Sequence, residues 1–452
     1  MAQSTASSRR FYTYFLMILG GLGGLLYGYD LGVIPGALLF MNKEISLTTA
    51  ETSLIVGAML GGGAVATLIA GPIADVIGRK TTIIISGVIF LLGMLVLINS
   101  HTFMSALFGR LIQGAGIGIE MIVLPLYLAE TTPPEVRGRC MTLFQLFLTF
   151  GILSAYSINL AFEHSENWRG MFVCVLIPGL IMLVGSLLIP ESPRWLFWKN
   201  NVDGARESLL KTRSLEAANH DLLEMKNVMT ERANTKTENE SVWQRHYILP
   251  FAIALSIACL NQLTGINSFI QYSTLVFKTA GIDSNFGAMI STVGMGLVNF
   301  LVTLIAIFLI DRLGRKLLLM IGTAGTVCVL AFLGVITHNN SPSPVVAHMV
   351  VAGLLAYIAF FAIGPGVVVW LALSELIPMR IRSKGMSIAL FANSVVSTLL
   401  ASVFLTVVNK ISLHGTFFLF AGFTLIYFAI ATFALPETKQ KSLEEIEQYF
   451  RK

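Results

Sequence analysis

The hexapeptide DVIGRK, residues 75–80, closes one long apolar run, and a near copy, DRLGRK, closes another at residues 311–316. Two more pairs repeat at a similar offset of about 240 residues. ETTPPEVRGR (Glu130–Arg139) and ELIPMRIRSK (Glu375–Lys384) each follow an apolar run. Each also sets a Glu seven residues before an Arg, as Glu130/Arg137 and Glu375/Arg382. PESPRW (Pro190–Trp195) and PETK (Pro436–Lys439) end the sixth and the last run. A chain that carries the same charged elements twice reads as two related halves, and paired halves with a site between them are transporter architecture.

Composition agrees. Of 452 residues, 55% are apolar and 12% charged, where a soluble domain carries about 25% charged. A spanning helix needs about 20 mostly apolar residues. Twelve such runs can be placed, near 13–36, 53–72, 81–99, 105–128, 142–162, 170–189, 248–276, 287–310, 316–337, 345–372, 385–408 and 414–435. The expected fold is all-α: twelve transmembrane helices in two pseudo-symmetric six-helix halves. The halves are expected at 1–194 and 247–436, joined by a polar linker at 195–246 with short amphipathic helices and followed by a tail at 437–452. The basic pair near the N-terminus precedes an apolar run longer than a signal peptide's, with no A-x-A-like cleavage site, so it is read as a retained first span.

The net charge of +5 is a topology signal, not a nucleic-acid patch. With both termini in the cytoplasm, 25 of the 30 Lys and Arg fall inside. Only Lys43, Arg169, Lys278 and Lys410 fall outside, and Arg110 falls within a span. The four cysteines lie in or beside apolar runs without CxxC spacing, so neither a disulfide framework nor a metal site is implied.

The seventh run contains NQLTGINSFIQYS, with Asn261, Gln262, Asn267 and Gln271 in one membrane helix. An amide donates and accepts at once, which suits a substrate made of hydroxyls; an anion would call for Arg or Lys. Helix–helix hydrogen bonding is the other use of such amides. In a regular helix Gln262 and Asn267 point about 140° apart, but Gly265 between them can break the helix and turn both to one cavity. Isolated amides recur at Gln145, Asn299 and Asn393, and Trp370 follows a Gly364-Pro365-Gly366 hinge.

The first run holds an acid, in GLLYGYDLGVIPG. An ionisable residue inside a span is a functional-site hypothesis by default, and Arg110 of the fourth run is the natural partner of Asp30. A carboxylate beside that arginine keeps its charge, and one carried away into apolar surroundings holds a proton. The pair therefore reads as a proton-coupling device or as a static ion pair. The glycines around Asp30 are expected to allow close packing on the fourth run. Glu120, also in the fourth run, is open to three uses: contact with substrate, a second protonation site, or a neutral packing role. The charges Asp75, Arg79, Glu130, Arg137, Glu191, Arg194, Asp311, Arg315, Glu375, Arg382 and Glu437 read either as topology determinants or as a latch clasping the two halves, formed when the site faces outward and broken when it faces inward.

Taken together, PESPRW, PETK, QLTGIN (Gln262–Asn267) and GPGVVVWLALSE (Gly364–Glu375) resemble the sugar porter family of the major facilitator superfamily, over nearly the whole chain. The resemblance implies the twelve-helix major facilitator fold and monosaccharide transport by alternating access, without enzymatic chemistry or a cofactor other than a co-transported proton. It implies sugar binding at Gln145, Gln262, Asn267, Asn299, Trp370 and Asn393, and an outer gate at Tyr272. It also implies the clasp role for the cytoplasmic charges, and an Asp at position 30 marks the family's proton symporters. Asn261, Gln271, Ser394 and Ser397 depart from the family pattern, so the particular sugar is open. The expectation is a multi-pass plasma (inner) membrane symporter for a hexose or pentose, working as a monomer among lipid. A proton-independent facilitator and a polyol or inositol symporter are the alternatives.

Overall fold

The computed structural model describes residues 6–234, 245–339, 343–378, 381–439, 445 and 450; the side chains of Asp311 and Arg382 lie outside that description. Among the described residues, eleven helices are long and apolar enough to cross a membrane. The last of them, Arg382–Phe433, is two crossings joined at Ser412, whose φ of 62° and ψ of 174° break the helix. Twelve spans result.

The first five are single helices: Ala6–Glu44, Thr49–Ile77, Arg79–Ile98, Phe103–Thr131 and Pro134–Ala161. The sixth runs Trp168–Leu188. The seventh is broken into Arg245–Leu263 and Ile266–Ala280, and the tenth into Pro344–Ile363 and Pro365–Leu376. The eighth and ninth are Asn285–Leu313 and Arg315–Asn339. Most spans exceed the apolar runs that mark them, because polar caps extend them. Thr48 and Glu51 form a reciprocal capping box at the second, and Thr102 with Ser105 does so at the fourth.

The repeated hexapeptide owes its glycine to the backbone. Gly78 and Gly314 sit at φ of 98° and 90° with extended ψ, a conformation essentially reserved for glycine. A Cβ would also lie 2.2 Å from a Glu191 carboxylate oxygen in one copy, and 2.6 Å from a Glu437 oxygen in the other. Each glutamate instead caps the following span: Glu191 accepts from the amides of Arg79 and Lys80 at 2.8 and 3.0 Å, and Glu437 from Arg315 and Lys316 at 3.1 and 3.2 Å. Anions favour helix N-termini, so the PES and PET motifs are the capping partners of the GRK turns.

The glycines around Asp30 serve a neighbour other than the one expected, whereas Gly20 and Gly23, earlier in the span, face the fourth. Gly24, Gly28 and Gly32 recur every four residues, and a Cβ on them would stand 2.2, 1.9 and 2.8 Å from the carbonyl oxygens of Phe144, Leu148 and Ile152 on the fifth span. Gly151 returns the contact at 2.3 Å from Leu25 O. Small residues at this spacing let membrane helices meet backbone to backbone. Asp30 lies two residues from both Gly28 and Gly32, about 200° round the helix, so the glycine face is buried on the fifth span while the acid turns to the fourth.

After the sixth span come Pro193–Trp198, Val202–Leu210 and Leu215–Asn234. They dock on the end of the fourth span, where buried Arg213 donates to Thr131 O and Thr132 O at 3.3 and 3.2 Å and pairs with Asp221 at 2.7 Å. The rest of the expected linker, 235–244, lies outside the described residues. Outward faces of the bundle carry large exposed apolar side chains, such as Leu92, Phe108, Leu188 and Phe308, as a lipid-facing surface requires.

Candidate functional site

A cavity lies between the two sets of six spans. Tyr27, Met59, Leu60, Gly63, Thr67 and Met121 line it from the first set, and Gln262, Asn267, Asn393, Ser394 and Ser397 from the second. The second wall is a connected row of amides. Asn393 Nδ2 donates to Ala258 O at 2.8 Å, and Gln262 Nε2 to Asn393 Oδ1 at 3.3 Å. Asn267 Nδ2 reaches both Gln262 Oε1 at 2.9 Å and Ser397 Oγ at 2.8 Å. Each amide holds its neighbour and keeps further hydrogen-bonding capacity, so the row offers both donors and acceptors to the cavity.

Gly265 makes the row. Its φ of 86° ends one helix at Leu263 and lets another start at Ile266, which brings Gln262 and Asn267 to one side. The Tyr357 hydroxyl donates to Thr264 O at 3.0 Å, satisfying a carbonyl freed by the break.

The other expected sugar ligands stand apart from this cavity's lining. Asn261 is buried, with Oδ1 unpartnered. Asn299 is buried on the eighth span, Gln145 half-buried on the fifth, and Trp370 is 38% exposed on the tenth. Gly364 and Pro365 form the break in the tenth span.

On one side of the cavity the halves meet, in contacts that include the following. Thr274 Oγ1 donates to Pro35 O at 2.5 Å and the Tyr156 hydroxyl to Ile270 O at 2.9 Å. Gly57 and Gly61 face Ser402 and Thr398. Along the seventh span the cavity residues 262 and 267 precede the contact residues 270 and 274; along the eleventh, 393, 394 and 397 precede 398 and 402. Both spans start at the end that carries the GRK turns, so the cavity lies toward that end and is sealed at the opposite one. At the seal, Gln271 is buried with Nε2 on Asn267 O at 3.2 Å, and Tyr272 donates to Ala401 O at 2.7 Å while stacking on Phe404 at 4.9 Å.

The charges at the GRK end pair within each half in this structure, as a latch between halves would when the cavity opens at that end. Arg79 meets Glu130 at 3.1 Å and Asp75 at 2.8 Å, and Ser192 donates to Glu130. In the other half Arg315 meets Glu375 at 3.3 Å, and Thr438 donates to Glu375 at 2.5 Å. Among the described residues, the acids that Arg79 and Arg315 meet at this end belong to each arginine's own half. Arg137 and Arg194 form no ion pair among the described residues, and the Arg382 and Asp311 side chains lie outside them.

Asp30 and Arg110 are both fully buried and form an ion pair through Oδ1 and Nη1. Gln113 completes the group. Its Nε2 donates to Asp30 Oδ1 at 2.7 Å, and its Oε1 accepts from Arg110 Nη1 at 3.0 Å. Nothing in the sequence sets Gln113 apart except its place three residues after Arg110, which puts both on one helix face. Phe172 lies 5.9 Å from the guanidinium. Glu120 is 3% exposed, with Oε1 unpartnered; that oxygen lies 2.8 Å from where a Cβ on Gly23 of the first span would stand.

A model for the "Sugar (and other) transporter" family matches residues 16–450. The chain is 37% identical to the glucose transporter GlcP of Staphylococcus epidermidis, covering 97% of each. It is 31% identical to the galactose-proton symporter of Escherichia coli K12, covering all of this chain and 97% of that one. The inward-open structure of the E. coli xylose transporter XylE superposes with a TM-score of 0.81 at 25% identity, covering 97% and 99% of the two chains.

Proposed function

The chain belongs to the sugar transporter family, multi-pass membrane transporters with the major facilitator fold and not enzymes, and from that premise we propose that it imports a hexose or pentose together with a proton. The observation that carries this reading is one structure holding two devices: a row of amides facing a cavity between the halves, and a buried, titratable Asp30 paired with Arg110. The first suits a neutral polyhydroxylated ring, and the second suits a proton. A glucose transporter and a galactose-proton symporter among its relatives support the same pairing.

Lys and Arg place the GRK turns and both termini in the cytoplasm, across a plasma membrane. The sealed end then faces outward and the cavity faces inward. In the transport cycle Asp30 takes a proton and sugar enters from outside; the halves rock about the amide wall; sugar and proton leave inside. Binding energy shifts this equilibrium only through contacts that differ between the two states. The hydrogen bonds of Thr274 and Tyr156 across the outer seal are contacts of that kind. The chain is expected to carry out this cycle as a monomer.

Proteoliposomes loaded at pH 7.5 and diluted to pH 6 are expected to accumulate labelled sugar above the external concentration. A panel of glucose, galactose, xylose, arabinose and myo-inositol identifies the substrate. Uptake that stops at equilibration, and that leaves an unbuffered medium at constant pH in energy-depleted cells, would establish a facilitator instead.

A further inference from the structure

Symport asks Asp30 to gain and lose a proton while Arg110, in the same apolar surroundings, keeps its charge and its place. The ion pair cannot hold the arginine through that cycle unaided. It is a one-point contact: Asp30 Oδ2 and Arg110 Nε and Nη2 have no hydrogen-bond partner, so no fork of parallel bonds forms. Once Asp30 is neutral, its Oδ1 is a weaker, uncharged acceptor and the guanidinium has lost its counter-ion.

We propose that Gln113 is a positioning residue that retains Arg110 while Asp30 is protonated, and so sets the pH range over which sugar and proton move together. This rests on the symport reading above. Gln113 is fully buried and uses both ends of its amide, Nε2 toward Asp30 and Oε1 toward Arg110. Only this orientation serves, because the flipped amide would aim oxygen at a carboxylate and N–H at a guanidinium. Arg110 Nη1 is thus shared between an acceptor that titrates and one that does not. Gln113 also cannot drift. It rides on the same helix as Arg110, and its backbone is held close to the third span, where a Cβ on Gly93 would stand 2.3 Å from the Gln113 backbone nitrogen.

The proton balance is simple. A proton arriving from water bonds to the free Oδ2, and Oδ1 remains the acceptor for Gln113 Nε2. Arg110 loses its counter-ion but keeps Gln113 Oε1, and the proton later returns to water with no other bond broken. Among the described residues, Arg110 is the ion-pair partner of Asp30. Tyr27 and Tyr29 of the acid's own span also lie near it, the latter donating to Met171 O at 2.6 Å and facing Cys174 of the sixth.

The test uses the full-length protein in proteoliposomes with labelled D-glucose, D-galactose and D-xylose run in parallel. Sugar counterflow, which needs no proton gradient, reports a folded carrier. Gln113→Leu removes a hydrogen bond donated to the charged form of the acid. It is expected to keep counterflow and to move the half-maximal pH of gradient-driven uptake upward by about one unit. Gln113→Glu, nearly isosteric, gives Arg110 a second carboxylate. It is expected to keep counterflow and to lower gradient-driven accumulation by about tenfold or more. A coupled wild type whose two variants retain its pH midpoint and its accumulation overturns the role of Gln113 alone. A wild type that equilibrates sugar with no response to the gradient overturns the symport reading and this role with it.

Discussion

Asn267 donates to Gln262 at 2.9 Å although five residues of regular helix would set the two on different faces. The contact exists because Gly265 stands between them at φ of 86°. An L residue there meets two penalties: a left-handed backbone, and a Cβ 3.0 Å from both Phe269 and Phe420. Gly265→Val is therefore expected to separate the two amides and weaken sugar binding by tenfold or more, about 1.4 kcal/mol. Equilibrium binding of labelled sugar to the purified protein checks this. Unchanged affinity would show that the break does not build the site.

The amide row makes a sharper claim about single side chains. Asn267→Ala removes a donor that bridges Gln262 and Ser397, and it leaves Gln262 Oε1 short of a partner beside the cavity. Losing one hydrogen bond costs about 1 kcal/mol, and an unpaired neighbour adds to it. The expected result is a rise in the KM for uptake of about tenfold, with counterflow still measurable at high sugar. Trp370→Ala is the contrast, since Trp370 lies outside this cavity's lining in this structure. A larger loss of inward-side affinity in Trp370→Ala than in Asn267→Ala would place the sugar elsewhere.

Much of this arrangement was legible because periodicity and repetition report directly on helices and symmetry. The doubled GRK turns, the twelve apolar runs and the glycine among the amides each imply a local geometry that appears in the molecule. Partner choice was not legible. The glycines around Asp30 define a smooth face, but nothing local says whether the fourth or the fifth span fills it. The charges at the GRK end recur at equal spacing in both halves, so pairing within a half and pairing across halves look alike in sequence; only the parted halves separate the two. Gln113 is one amide among several, and its value lies in a contact with a residue 83 positions away.

Pairing within a half gives those charges a role in stability. Arg79 and Glu130 are 2% and 5% exposed, whereas Arg315 and Glu375 are 15% and 20% exposed. Removing one member of a buried pair strands the other, at about 3–5 kcal/mol, and a wetter pair loses less. Glu130→Ala is thus expected to lower the thermal unfolding midpoint of the detergent-solubilised protein more than Glu375→Ala does. Equal shifts would mean that burial does not decide the strength of these two clusters.

Asp30→Asn separates coupling from transport. The amide is nearly isosteric and can still accept from Arg110 Nη1 through its oxygen, but it cannot take up a proton at any pH of interest. Its second donor would lie where Asp30 Oδ2 now has no partner, so the packing of the first span on the fifth through Gly28 and Gly32 is left alone. Gradient-driven accumulation is expected to vanish, and the pH dependence of uptake to flatten between pH 5 and 8. Counterflow should stay within a few-fold of wild type, because the amide row carries no titrating group. The variant also tests Glu120, the one other acid buried in the first-to-fourth-span interface among the described residues. If Asp30→Asn still accumulates sugar, Glu120→Gln in the same background is expected to abolish what remains, and the proton would then be carried at midspan. If neither change affects accumulation, the driving ion is not bound by either acid.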